Sequence, residues 1–191
     1  MAWVTPTSVS TGSVLTASRY NQDVVDNTKA LALRHIKTQT IGSGVSSVDV
    51  TGVFSADYDN YLVTVTNVDT STADTDFFVR LGTSTTRTEY RYGGQYINIG
   101  GAAGTASSTG TANGIAVGFT EDDETNLSFV ILAPFLAQPS SVLATYSNQN
   151  YAGYYGGWDS LASSHTQFVL RPNSGTMTGG DIRVYGYINA S

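Results

Sequence analysis

The stretch NYLVTVTNV, Asn60–Val68, decides the fold. Tyr61, Val63 and Val65 fall on one side of it and Leu62, Thr64 and Thr66 on the other. A strand turns successive side chains to opposite faces, so this period of two predicts a half-buried β-strand. The pattern recurs on both sides. SSVDV, residues 46–50, precedes it, and Phe77–Leu81, Thr88–Ile99, Gly114–Thr120, Asn126–Ala133, Ser141–Ser147, Thr166–Arg171 and Asp181–Ile188 follow, separated by turn residues. Short strands with no helices between them predict a mainly β protein, an antiparallel β-sandwich of jelly-roll type, rather than an α/β sheet. In the last strand Ile182 and Val184 share a core side with Gly186 and Ile188, while Arg183, Tyr185 and Tyr187 share the other. That strand is expected to close the sandwich and cover an edge. The pair Gly93-Gly94 reads as a break, and GGAAGTASSTGTANG, Gly100–Gly114, reads as a surface loop or hairpin tip.

One segment reads as helical: LTASRYNQDVVDNTKALALRHI, Leu15–Ile36. Thr16 or Ser18 can cap its first turn, Asp23 lies towards the positive end of its dipole, and Lys29, Arg34 and His35 lie towards the negative end. Ala17, Val24 and Leu31 recur every seven residues, and Tyr20, Thr28 and Leu33 broaden the stripe. A helix with one narrow apolar face is marginal in water, so Ala17, Tyr20, Val24 and Leu31 form a candidate assembly interface. The chain therefore divides into an N-terminal docking segment with its helix, residues 1–40, and a β-sandwich domain, residues 41–191.

Composition narrows the roles. Among 191 residues there is no cysteine, so neither disulfides nor thiolate metal sites hold the fold. A net charge of −6 argues against DNA or RNA as partner, since neutralising phosphates takes clustered Lys and Arg. No signal-peptide pattern opens the chain, and no apolar run approaches the roughly 20 residues a helix needs to cross a bilayer. Synthesis in the cytoplasm and no membrane insertion are the expectations. Charged residues make up 13% of the chain, against about 25% in typical domains, which predicts a neutral, hydrogen-bonding surface.

Signals for chemistry are sparse. His35 and His165 show no metal-ligand spacing, and Ser163 and Ser164 beside His165 lack the GxSxG setting of a nucleophile. Acidic residues gather in Asp69–Asp76 and Glu121–Thr125, but neither run has the spacing of a calcium loop, so solvated turns are the favoured reading. No catalytic residue, cofactor or metal site is expected, and the chain is expected not to be an enzyme. YSNQNYAGYYGGWDS, Tyr146–Ser160, is the most suggestive stretch, because rigid aromatics among Asn, Gln and Gly are what binding loops use. Tyr151, Tyr154, Tyr155 and Trp158, with Arg91 and Tyr92 from TEYRYGGQY (residues 88–96), are the candidate contacts for a surface or a glycan. Burial of these rings at a sandwich edge or subunit interface is the competing reading.

Three stretches carry a resemblance. TGSVLTASRYNQDVVDNTKAL (11–31), FSADYDNYLVTV (54–65) and FVLRPNSGTMTGGDIRVYGY (168–187) resemble segments of tailed-bacteriophage virion structural proteins, including tail-fibre and other appendage proteins. The resemblance implies a non-enzymatic virion component, assembled in the host cytoplasm, such as a short tail fibre, an adaptor or a capsid decoration protein. It also implies a homotrimer whose N-terminal part docks on other virion proteins, while the β-domain faces its neighbours or a host surface glycan. A long fibre is excluded by the lack of a shaft, a collagen-like repeat or extended heptads. The alternative is a free, lectin-like carbohydrate-binding module using the Tyr/Trp-rich loop, and a glycan depolymerase ranks last.

Overall fold

The computed structural model describes residues 8, 10–26, 33–83, 89–121 and 123–188. Within them run a one-turn helix α1 (Ala17–Tyr20), which continues as a π-helical turn over Asn21–Asp26, and thirteen strands. These are β1 (Arg34–Thr40), β2 (Val48–Val50), β3 (Asn60–Thr70), β4 (Thr75–Leu81), β5 (Tyr90–Asn98), β6 (Ala103–Ala112), β7 (Ile115–Thr120), β8 (Thr125–Leu132), β9 (Ser140–Ser147), β10 (Tyr151–Asp159), β11 (Phe168–Pro172), β12 (Met177–Thr178) and β13 (Asp181–Tyr187). The larger sheet has the order β1-β13-β3-β8-β9-β10-β5-β6, with β12 beside β3, and the smaller has the order β2-β11-β4-β7. Every pairing between named strands is antiparallel. The two sheets enclose one core, and the mainly β, antiparallel sandwich expected from the alternation is what the structure shows.

The deciding stretch behaves as its period requires. In β3, Tyr61, Val63 and Val65 are fully buried, and the intervening Leu62, Thr64 and Thr66 are only half-buried. The Tyr61 hydroxyl donates to the Ser55 carbonyl (3.0 Å) and accepts from the Ser55 amide (2.8 Å), so this large core ring leaves no polar atom unmatched. Ile182 and Val184 of β13 are likewise buried, and β13 pairs with β1 on one side and β3 on the other. The final strand is thus an interior strand of the sheet.

Three expectations are corrected. The helix does not reach Ile36: α1 ends at Tyr20, and Arg34, His35 and Ile36 belong to β1, where the alternation of HIKTQT and the free edge of β13 outweigh the helical period. Leu31 lies outside the described residues. Gly100–Gly114 is largely strand β6, paired with β5 from Ile97↔Ala103 to Tyr90↔Ala112, and the turn is confined to its ends. Tyr146–Ser160 is no loop, because its middle is β10, hydrogen-bonded to β9 and β5 inside the larger sheet.

Glycine explains why strands with such a composition form. An added Cβ at Gly94 would lie 2.4 Å from the Tyr155 ring, and at Gly153 2.7 Å from the Tyr146 ring. Gly186 meets Tyr58 at 2.5 Å in the same way. Each of these glycines leaves a flat place on the inner surface of the sheet that a neighbouring tyrosine ring covers, so the ring supplies the apolar area the glycine lacks. Between the sheets the rings then continue as a wall, with Tyr146 stacked on Tyr155 (5.8 Å) and Tyr96 stacked on Phe119 (5.8 Å).

Candidate functional site

Strand alternation divides the candidate residues of β10 and β5 between two faces. Tyr151 and Tyr155 point inward with Tyr92, whereas Tyr154, Trp158 and Arg91 point outward. The inner set is structural. Tyr155 is 2% exposed and its hydroxyl donates to Asp76 Oδ1 at 3.0 Å, while Tyr92 packs edge-on against it (6.2 Å). Tyr151 packs edge-on against Phe119 (5.2 Å). The Tyr146 hydroxyl is buried without a hydrogen-bond partner among the described residues. Burial pushes the phenols of Tyr146 and Tyr155 upward, with the nearby Asp76 charge acting in the same direction. These phenols stay protonated.

Burial also raises the Asp76 carboxyl above its ordinary value of 3.8, and the Tyr155 donor offsets this only in part. A folded chain that holds this proton more tightly than the unfolded chain gains the group's full contribution below pH 3.8 and loses it as pH rises through the raised folded value. Asp76→Asn keeps an acceptor for Tyr155 and leaves no charge to bury. The variant is expected to melt above the native protein at pH 7 and level with it below pH 3.8. Thermal melts across that range check this, and a variant less stable than native at pH 7 would contradict it.

The outer set forms a surface. Trp158 faces Arg91 across the β10–β5 pair, Gly156 faces Gly93, and Tyr154 faces Gln95. The two rings therefore flank a floor made of two outward glycines, and an added Cβ on Gly93 would meet nothing within 4 Å. Leu143 of β9, 57% exposed, stands opposite Gly156 and completes the wall. Between Trp158, Arg91, Leu143 and Gly156 lies a groove of about 430 Å³, and a second of about 310 Å³ runs on the other side of Leu143 towards Tyr154. Tyr154 is held by donating its hydroxyl to Gln95 Oε1 at 2.7 Å. Such a surface offers flat apolar faces beside hydrogen-bonding groups.

Other candidates stay apart from this surface. Ser163, His165 and Asp159 do come together, but Ser163 Oγ (3.3 Å) and Asp159 Oδ2 (3.5 Å) both approach the same imidazole nitrogen, Nε2. A relay of the Ser-His-Asp kind needs its partners on opposite ring nitrogens. With Asp159 Oδ1 accepting from the Leu161 amide (3.1 Å) and the His165 amide donating to the Pro134 carbonyl (2.8 Å), the cluster pins the 159–165 connection. His35 is exposed in β1, where its Nε2 lies 2.8 Å from Thr38 Oγ1. No group of three or more His, Asp or Glu side chains able to hold a metal ion occurs among the described residues. No described helix is long and apolar enough to cross a membrane. Of the proposed assembly residues, Tyr20 and Val24 are exposed and α1 buries none of its side chains.

What sequence reasoning missed here is Leu143, together with the outward glycines Gly93 and Gly156. Leu143 sits in a recognised strand, and its apolar side chain at an outward position was the available signal.

No protein-family model matches the chain, and neither does any curated protein. Among solved structures the chain is similar to SCP-B, a member of the Eqolisin family of peptidases in complex with the tripeptide Ala-Ile-His, at 15% identity. That likeness covers 69% of this chain and 64% of the peptidase, under two thirds of its length, with a TM-score of 0.31. A protein of unknown function from Shewanella oneidensis MR-1 follows, at 7% identity, 84% and 77% coverage and a TM-score of 0.22. A lectin from Bauhinia forficata in complex with GalNAc follows at 7%, 78% and 93%, with a TM-score of 0.15. The expectation that the chain is not an enzyme does not stand beside the likeness to a peptidase and is withdrawn. A likeness at that TM-score equally assigns no activity to this chain.

Proposed function

We propose that the chain is a surface module of a bacteriophage particle that contacts a saccharide-bearing surface through the outer face of its larger sheet. The observation that carries the binding half is the row Trp158, Gly156, Tyr154 on one central strand, in which two exposed rings flank a glycine floor beside Arg91 and Leu143. Sugar rings have apolar C–H faces that stack on aromatic rings and hydroxyls that bond to the polar groups between them. The phage half rests on the resemblance of residues 11–31, 54–65 and 168–187 to virion appendage proteins.

The test is isothermal titration with soluble oligosaccharides, comparing the native chain with Trp158→Ala. Because Trp158 is 47% exposed, its removal is expected to leave the melting temperature nearly unchanged while weakening saccharide binding about tenfold or more, as loss of a central aromatic anchor does. Equal affinity in native and variant protein would overturn the reading. So would native protein that binds no saccharide at all.

A further inference from the structure

We infer that the saccharide taken up beside Trp158 carries a carboxylate, which Arg91 receives; this rests on the saccharide-binding reading of the outer face. The argument is one of charge. On the outward positions of β8, β9, β10 and β5, Arg91 is the only charged side chain, with no carboxylate among them; the neighbouring β3 carries Asp69 near its end. The described outward side chains of β6 add none. In a chain of net charge −6 with fifteen Asp and Glu residues, four adjacent strands present no acid on this face.

Two other cations of the larger sheet are engaged. Arg183 pairs with Asp181 at 3.0 Å, and Lys37 donates to the Thr51 carbonyl at 3.0 Å. Arg91 forms no side-chain hydrogen bond or ion pair with the described residues, is exposed, and lines the groove together with Trp158, Ser141 and Leu143. A guanidinium fork matches a carboxylate through two parallel N–H donors, and here it stands at one end of the glycine floor on which a pyranose ring can lie. Ser141, across β10 from Arg91, offers a hydroxyl within the same groove. Anionic ligand and acid-free face are complementary, whereas a neutral sugar would leave Arg91 without a role.

The experiment titrates the full chain with two matched pairs of probes, trigalacturonate against its methyl ester and sialyllactose against lactose. The native protein is expected to bind at least one acidic member about tenfold or more tightly than its neutral partner, with the preference shrinking as salt is raised. Arg91→Gln is expected to erase that preference by weakening the acidic member far more than its neutral partner, and Arg91→Lys to retain part of it. Equal binding of acidic and neutral members, or a preference that survives Arg91→Gln, would overturn the inference and leave the saccharide reading standing. Absence of binding to all four probes would overturn both.

Discussion

Removal of residues 180–191 is expected to abolish soluble, folded protein. The segment holds β13, which lies between β1 and β3 and is in register with β3 from Asp181↔Thr66 to Tyr187↔Asn60. Its loss would strip β3 of one hydrogen-bonded neighbour and leave β1 with no strand to pair with. It would also remove Ile182 and Val184, both fully buried, each contributing about 1.5–3 kcal/mol of apolar burial. Together with the ladder bonds, at roughly 0.5–1.5 kcal/mol each, the loss reaches the whole stability of a typical domain. Val184→Asp provides the test at full length, since it places one unpaired charge in the core and leaves the ladder intact. Expression, solubility and circular dichroism of both proteins decide the matter. A truncated chain that purifies as a cooperatively melting β protein would show that the sandwich closes without its last strand.

That strand was legible because its two faces differ in chemistry, and the same holds for β3, β8 and β9. Wherever apolar and polar residues alternate, the face turned to the core can be read from sequence alone. The failures have a common cause. In β6 the alternation is between residues that are all small, so the sequence has no contrast to show, yet β5 offers a free ladder of donors and acceptors that such a segment can occupy. In β1, Arg34–Thr40, charge placement imitates a helix terminus, whereas the unsatisfied edge of β13 exists only once the sheet has formed. Local pattern cannot report a partner that tertiary structure supplies.

The candidate surface was half legible for a related reason. Tyr151, Tyr154, Tyr155 and Trp158 stand out together in the sequence as one aromatic cluster, and their chemistry drew attention to the right segment. Taken as a loop, the cluster has one surface; as a strand it has two, and Tyr155 goes to the core while Tyr154 goes to the outside. The pairing Tyr154↔Gln95 and Trp158↔Arg91 then assembles the surface from residues about sixty positions apart, a relation fixed by register and absent from any single stretch.

The adjacent glycines of β5 give the sharpest separation of the two faces, and Gly94→Val is expected to be severely destabilising where Gly93→Ala is not. At Gly94 an added Cβ would lie 2.4 Å from the Tyr154 carbonyl oxygen and 2.4 Å from the Tyr155 ring. Neither can retreat. The carbonyl belongs to a strand bonded on both sides, and the ring is 2% exposed with its hydroxyl held by Asp76. Overpacking of this kind costs about 3 kcal/mol, which for a domain of this size lowers the melting temperature by roughly 6–12 °C. At Gly93 nothing lies within 4 Å, and alanine there replaces the most flexible residue with one that loses less entropy on folding. Gly93→Ala is therefore expected to melt at or slightly above the native temperature. Thermal melts of the two variants side by side make the comparison. If both lost stability equally, the close approach of Tyr155 to the sheet would not be what the glycine at position 94 serves.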